Sequence, residues 1–236
     1  MTKKINNYLE VVYDEKTRPL TGYPNLLTKY LFKRFKLREG QSILDIGCGR
    51  GEFTNGFINC GLKAYAVDQF DTCKNYFPKV ILKTSDIEND GIPYPDKMFD
   101  VVYSKSVIEH FFQPEILVKE KMRVLKPGGL AITLCPSWEY NFRFFYEDYS
   151  HRSPFTRTSL NDIFLAHGFK NVEVYYFIQL PILWKYKFLK PLSTITRKLI
   201  PDSFYDKTSV SSFNKWIRFS KEIMLLSSAR KKSNHL

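Results

Sequence analysis

The stretch Asp45-Ile46-Gly47-Cys48-Gly49-Arg50-Gly51 constrains this chain more than any other. It completes the apolar run SILDIG (42–47) and leads into a helical pattern over 52–60 that Gly61 terminates. A strand thus ends beside an acid and turns through three glycines into a helix. Glycine permits positive φ and lets a ligand approach backbone that a Cβ would block. The opening turn of the helix presents N–H groups with no partner inside the helix. The spacing is G-x-G-x-G, not the G-x-G-x-x-G of dinucleotide folds, and no Gly-Lys-Ser/Thr follows, which argues against a P-loop.

Short apolar runs alternate with helical patterns along most of the chain. Residues 24–36 place Leu26, Leu27, Tyr30, Leu31 and Phe35 near helical spacing, with Pro24 suited to a first turn. LKAYAVD (62–68), VILKTSD (80–86), FDVVYSK (99–105) and GLAITLC (129–135) read as the second to fifth strands. A helix is expected over 114–125, stopping before Pro127-Gly128-Gly129. This alternation predicts an α/β fold with a parallel sheet covered on both faces. Residues 136–158 read as irregular, 159–167 as a helix closed by Gly168, and 171–180 as a strand. A last strand is expected over 222–231, pairing antiparallel with 171–180, so that 181–214 hangs between the two as a lid. No repeat is evident, and no run of 18 apolar residues is present to span a bilayer.

The 236 residues suit one domain: 1–40 as N-terminal flap and helix, 41–180 as ligand-binding core, 181–215 as lid, and 216–236 as last strand and basic tail. Hydrophobic residues make up 44%, enough for a packed core. The net charge of +12 is uneven, because residues 181–236 hold twelve Lys/Arg against three Asp/Glu. That surface attracts anions. Four cysteines form no C-x-x-C pair, and 1–7 is polar and basic with no apolar segment behind it. Reduced cysteines in a cytoplasmic protein are the expectation.

Candidate ligand groups fall just after successive strands. A carboxylate at Asp68 can accept two hydrogen bonds from adjacent ribose hydroxyls. At Ser85-Asp86-Ile87 an acid can accept from an exocyclic adenine amine while its apolar neighbour packs on the ring. Ser104 to His110 follow the fourth strand. Open α/β sheets bind ligands at these carboxyl ends.

ILDIGCGRG, AYAVD, SDI, FDVVYSKSVIEHF and VLKPGGLAITLCPS stand in an order and spacing that resemble the class I S-adenosylmethionine-dependent methyltransferases, over about residues 40–180, and IMLLSSARK resembles their last strand. The resemblance implies a Rossmann-like seven-stranded sheet, mostly parallel with the final strand antiparallel. It implies S-adenosylmethionine as cofactor. Asp45, Gly47 and Gly49 would hold its methionine part, Asp68 the ribose, and Asp86 with Ile87 the adenine, with Cys48, Gln69 and Ser85 as further cofactor-binding candidates. The backbone near Ser104 would contact its amino-acid end. Arg50 and Glu52 are expected to face solvent or cap the helix.

His110, in IEHF, is a candidate for catalysis or for structural support beside the cofactor. His151 lies in YEDYSHRSPFTRTSL, which resembles methyltransferases of cell-surface sugar pathways, and is the candidate base, since imidazole titrates near neutral pH. His167 reads as a helix C-terminal cation. No D/N-P-P-Y/F follows the fourth strand, which argues against nucleobase amines, and the acid set of metal-dependent catechol methyltransferases is not apparent, so no metal is predicted. The expected reaction is methylation of an oxygen on a sugar, glycan precursor or related small molecule. A quinone or lipid ring at a membrane, and an RNA- or protein-binding module without turnover, are the alternatives.

In 181–215, Ile182, Leu183, Trp184, Tyr186, Phe188 and Leu189 interleave with Lys185, Lys187 and Lys190. The segment reads as an interfacial helix or lid near anionic lipid, peripheral to the inner membrane face, or as a helix packing its aromatics on the sheet, or as a nucleic-acid stripe. Residues 8–23 read either as a flap over the cofactor or as a helix on the outer face of the sheet.

Overall fold

In the computed structural model, residues 19–204, 209 and 211–233 are described. Seven strands form one sheet: β1 Ser42–Ile46, β2 Lys63–Asp68, β3 Ile81–Thr84, β4 Phe99–Lys105, β5 Leu125–Pro136, β6 Lys170–Phe177 and β7 Met224–Arg230, in spatial order β3-β2-β1-β4-β5-β7-β6. The pairings among β1 to β5 are parallel. Strand β7 runs antiparallel to both β5 and β6, with Phe177 opposite Met224. The segment between β6 and β7 therefore leaves and re-enters the sheet at adjacent strand ends.

Strand residues divide between two cores, as the two-residue period of a pleated strand requires. On one face Leu44, Ile46, Val102 and Ala131 pack with Leu117, Val118, Leu160 and Phe164, from helices α5 (Pro114–Val124) and α7 (Arg157–Ala166). On the other, Ile43, Val101, Tyr103 and Ile132 meet Leu27, Leu31 and Phe57, from α1 (Tyr23–Arg34) and α2 (Glu52–Ile58). Three further short helices lie between: α3 Cys73–Tyr76, α4 Ile87–Asp90 and α6 Trp138–Asn141. The segment between β6 and β7 carries α8 Pro181–Lys185, α9 Lys190–Leu199 and α10 Ser212–Lys221.

Departures from the sequence reading have local causes. Strand β3 stops at Thr84 because the Asp86 carboxylate caps α4, accepting from Glu88 N. Helix α7 starts earlier than expected because Thr156 and Ser159 form a capping box. Strand β5 begins directly after α5, and Lys231 holds the junction, its Nζ donating to the Met122 and Leu125 carbonyls. The segment expected to be irregular forms α6 and a 3-10 turn over Phe145–Glu147. Of the flap region 8–23, residues 8–18 lie outside the described residues.

Candidate functional site

The glycine turn lies where strand order reverses, at the ends of β1 and β4. Gly47 and Gly51 have φ of +67° and +84°, and a Cβ at either would overlap a neighbour, Val107 Cγ2 or Cys73 Sγ respectively. No other residue type fits these two positions without movement. The turn is hung from β2: Gly47 N donates to Val67 O at 2.8 Å, and Gly49 N to Asp68 Oδ2 at 2.8 Å. The other oxygen, Asp68 Oδ1, accepts from Phe70 N at 3.1 Å. Burial pushes the Asp68 pKa up, and these backbone donors oppose the shift.

Above the turn is a cavity of 390 Å³ lined by Gly47, Cys48, Gly49, Asp68, Gln69, Ser85, Asp86, Ile87 and His110 among others. Nine of the twelve residues singled out in the sequence therefore share one wall system. Ser85 and Asp86 are already engaged locally: Ser85 Oγ donates to Gly91 O, and the Asp86 carboxylate accepts from Asn89 Nδ2 as well as Glu88 N.

The other three lie elsewhere. Asp45 is buried behind the turn, its Oδ2 accepting from Thr54 Oγ1 at 2.6 Å, and burial raises its pKa to about 7. Ser104, whose backbone was expected near the cofactor, is wholly buried, its Oγ accepting from Lys121 Nζ at 2.7 Å, and the next two residues, Lys105 and Ser106, line the cavity. His151 lines a second cavity, of 500 Å³, beside the first.

Seven residues line both cavities, among them Lys105, Ser106, His110 and Tyr149. Ser106 adopts φ of +55°, a strained conformation for a residue with a side chain, and its N–H is held by Leu134 O. Arg50, expected to face solvent or cap the helix, is 8% exposed, pairs with Glu52 at 2.8 Å, and lines both cavities. No residue-type pattern marks Ser106, and Arg50 with Glu52 reads as a surface pair in the sequence.

The seam between the cavities holds a second cluster. One donor atom each from Glu109, His110 and His151 lies within 4.8 Å of the others, the composition of a His₂Glu cation site or a proton relay. Glu109 is buried and neither carboxylate oxygen has a hydrogen-bond partner among the described residues. Burial pushes its pKa up to about 8. Burial, then the neighbouring His151, lowers that of His110 to about 4. Burial lowers His151 as well. Both tautomers follow from partners. His151 Nδ1 is 2.6 Å from Phe145 O, which can only accept, so Nδ1 carries the proton and Nε2 the lone pair. Ser150 Oγ donates to Asp148 Oδ1 and so accepts from His110 Nδ1 at 2.9 Å. The Glu109 carbonyl fixes the loop bearing His151 by accepting from Arg152 N and Ser153 N.

A family model described as a methyltransferase domain matches residues 17–174. The 27-O-demethylrifamycin SV methyltransferase of Amycolatopsis mediterranei is 29% identical over 135 residues, covering 50% of this chain and 46% of that protein. Sterol 24-C-methyltransferase of Schizosaccharomyces pombe is 34% identical over 111 residues, covering 43% and 29%. The chain spans about half the length of the curated relatives it matches, or less. In fold it is similar to a SAM-dependent methyltransferase from Archaeoglobus fulgidus (TM-score 0.65, 21% identity, covering 95% of this chain and 100% of that one). It is also similar to Haemonchus contortus phosphoethanolamine N-methyltransferase 2 in complex with S-adenosyl-L-methionine (TM-score 0.64, 17% identity, covering 99% and 62%).

Proposed function

Since the chain belongs to the methyltransferase-domain family, we propose that it transfers a methyl group from S-adenosylmethionine to an oxygen of a sugar, glycan precursor or related small molecule. The observation that carries this reading is the shared wall: the cavity bounded by the glycine turn and Asp68 meets the second cavity at Lys105, Ser106, His110 and Tyr149.

The first cavity suits the cofactor. Asp68 retains lone pairs beyond the two it gives to backbone amides, enough for a ribose diol. The glycine positions leave room for close backbone contact, and Ile87, buried on the cavity wall, offers an apolar surface for a base. When bound, S-adenosylmethionine supplies an electrophilic methyl on a sulfonium. The residues at the seam then hold the acceptor in line and keep water out.

The second cavity suits a hydrogen-bonding acceptor, for its wall includes Asn141, Glu147, Asp148, Tyr149, His151 and Gln179. A sugar hydroxyl is a weak acid, so its attack needs a base. His151, neutral with its Nε2 lone pair available by tautomer, is suited to accept that proton, and Asp148 Oδ2 at 4.0 Å steadies the imidazolium that results. Incubation with methyl-labelled cofactor and surface-glycan precursors tests the reading. Label in a sugar fraction is the expected result, and label only in another acceptor discards the sugar assignment.

A second reading, methylation of a quinone or lipid at a membrane surface, is favoured by the apolar side chains that α9 leaves exposed.

A further inference from the structure

Helix α9 is turned inside out relative to an ordinary surface helix. Its buried residues are Ser193 and Thr196, which face α10: Ser193 Oγ meets Ser220 Oγ at 2.9 Å, and Trp216 Nε1 donates to Thr196 Oγ1 at 3.0 Å. Its large apolar residues point outward. Leu192, Ile195 and Leu199 are 51%, 51% and 75% exposed, and they recur at i, i+3 and i+7, one stripe of an α-helix. Phe188, one turn earlier, is 76% exposed. A soluble helix normally buries such a stripe, and an exposed contiguous one marks an interaction surface.

The sequence left open whether the lid packs its aromatics on the sheet, and the structure divides them. Trp184 does pack, stacked on Phe177 at 5.4 Å with its Nε1 donating to Ile178 O. At the start of α9, Trp184 and Tyr30 help to wall a groove of 560 Å³ whose charged lining is Lys33, Arg34, Lys187 and Lys190. No carboxylate lines it, and none of these four cations makes an ion pair among the described residues.

We propose that α9 and this groove form a docking surface for an anionic lipid bilayer, with Phe188, Leu192, Ile195 and Leu199 at the acyl boundary and the four cations on headgroup phosphates. Aliphatic side chains beside uncompensated cations are the pattern of an interfacial helix. A second copy of this chain would have to bring the same unpaired cations against themselves. Nucleic acid would match the charge but gains little from leucine and isoleucine, since single strands are held by stacking on flat rings. The inference deepens the second reading of function, an acceptor presented at a membrane, and Asp68→Ala separates the two: it weakens cofactor binding and leaves bilayer binding intact.

The test is sedimentation of the full chain with phosphatidylcholine vesicles, with and without about one-third phosphatidylglycerol. Two variants accompany it, Leu192→Ser/Ile195→Ser/Leu199→Ser and Lys187→Glu/Lys190→Glu, each checked for an unchanged melting curve, which exposed positions should retain. The expected result is partition into the anionic vesicles only, lowered at least tenfold by each variant and weakened by salt. Partition that survives the serine variant overturns the proposal. So does a failure to partition, release by inorganic phosphate at matched ionic strength, retention of single-stranded RNA that the serine variant leaves unchanged, or a wild-type dimer that the serine variant dissociates.

Discussion

Asp68 Oδ2 accepts from Gly49 N at 2.8 Å, so the acid that ends β2 and the glycine turn that follows β1 hold each other in place. One carboxylate thus shapes the turn and presents its remaining lone pairs to the cavity. Asp68→Ala removes both functions. With one hydrogen bond to a charged group contributing about 1.5–3 kcal/mol, loss of a single such bond should lower its affinity for S-adenosylhomocysteine by roughly 10- to 140-fold, given about 1.4 kcal/mol per tenfold. Asp68→Asn keeps one acceptor oxygen and should lose about tenfold. Calorimetric titration reads both, and an unperturbed alanine variant would remove Asp68 from the cofactor site.

The turn is also fixed from below. A Cβ at Gly51 would meet Cys73 Sγ, with Phe77 Cδ2 3.3 Å away, at a φ of +84°. Gly51→Ala should cost about 1–2 kcal/mol for the left-handed backbone and about 1–3 kcal/mol more for overpacking. Replacing Cys73 by alanine in the same chain should return the overpacking part alone, leaving the backbone part. Urea unfolding of the singles and the double measures this. Equal stability of Gly51→Ala with and without Cys73→Ala would show that crowding on the sulfur is not the cause.

Lys121 links β4 to β5 through two buried hydroxyls, donating to Ser104 Oγ and Thr133 Oγ1 at 2.7 Å each. Burial lowers its pKa from 10.5 to about 7. Above pH 7 the unfolded chain therefore binds a proton at this site that the folded chain does not. Stability rises with pH between the folded and unfolded values, at up to about 1.36 kcal/mol per pH unit. Lys121→Met removes the titration. The wild type should gain on this variant as pH climbs from 7 toward 10.5, read as the difference in urea midpoints, and a difference constant across that range would contradict the buried, depressed lysine.

How much of this was legible in the sequence depends on the range of the interaction. Strand positions follow from local patterns, while the sheet's arrangement comes from the family resemblance: SILDIG, LKAYAVD and FDVVYSK each carry the apolar run of a buried strand, and Gly61 and Gly168 mark helix ends. The wall of the first cavity follows too, because the glycines and Asp68 come at strand ends. The Lys121–Ser104 contact does not, since a lysine in PEILVKEKMRV looks like any solvated helix residue until α5 docks on the sheet. Arg50 likewise reads as surface until Glu52 folds back on it. His110 and His151 are 41 residues apart, and long-range bonds such as those from Arg152 N and Ser153 N to the Glu109 carbonyl bring their rings to 4.8 Å.

That juxtaposition yields the sharpest kinetic expectation. His151 lines the second cavity and not the first, so its removal should leave cofactor binding within about twofold of wild type while turnover falls roughly 10²- to 10⁴-fold, the usual contribution of a general base. His151→Gln keeps a side chain able to donate to Phe145 O but cannot take a proton, and should be as slow as His151→Ala. Burial favours the neutral imidazole, which places the acid limb of the rate profile below the ordinary value of 6.5. Activity should therefore hold from neutrality down past pH 6.5 and fail only at greater acidity, and in His151→Ala that limb should vanish from what rate remains. A limb that persists unchanged in the variant would transfer the proton-accepting role to another group at the seam.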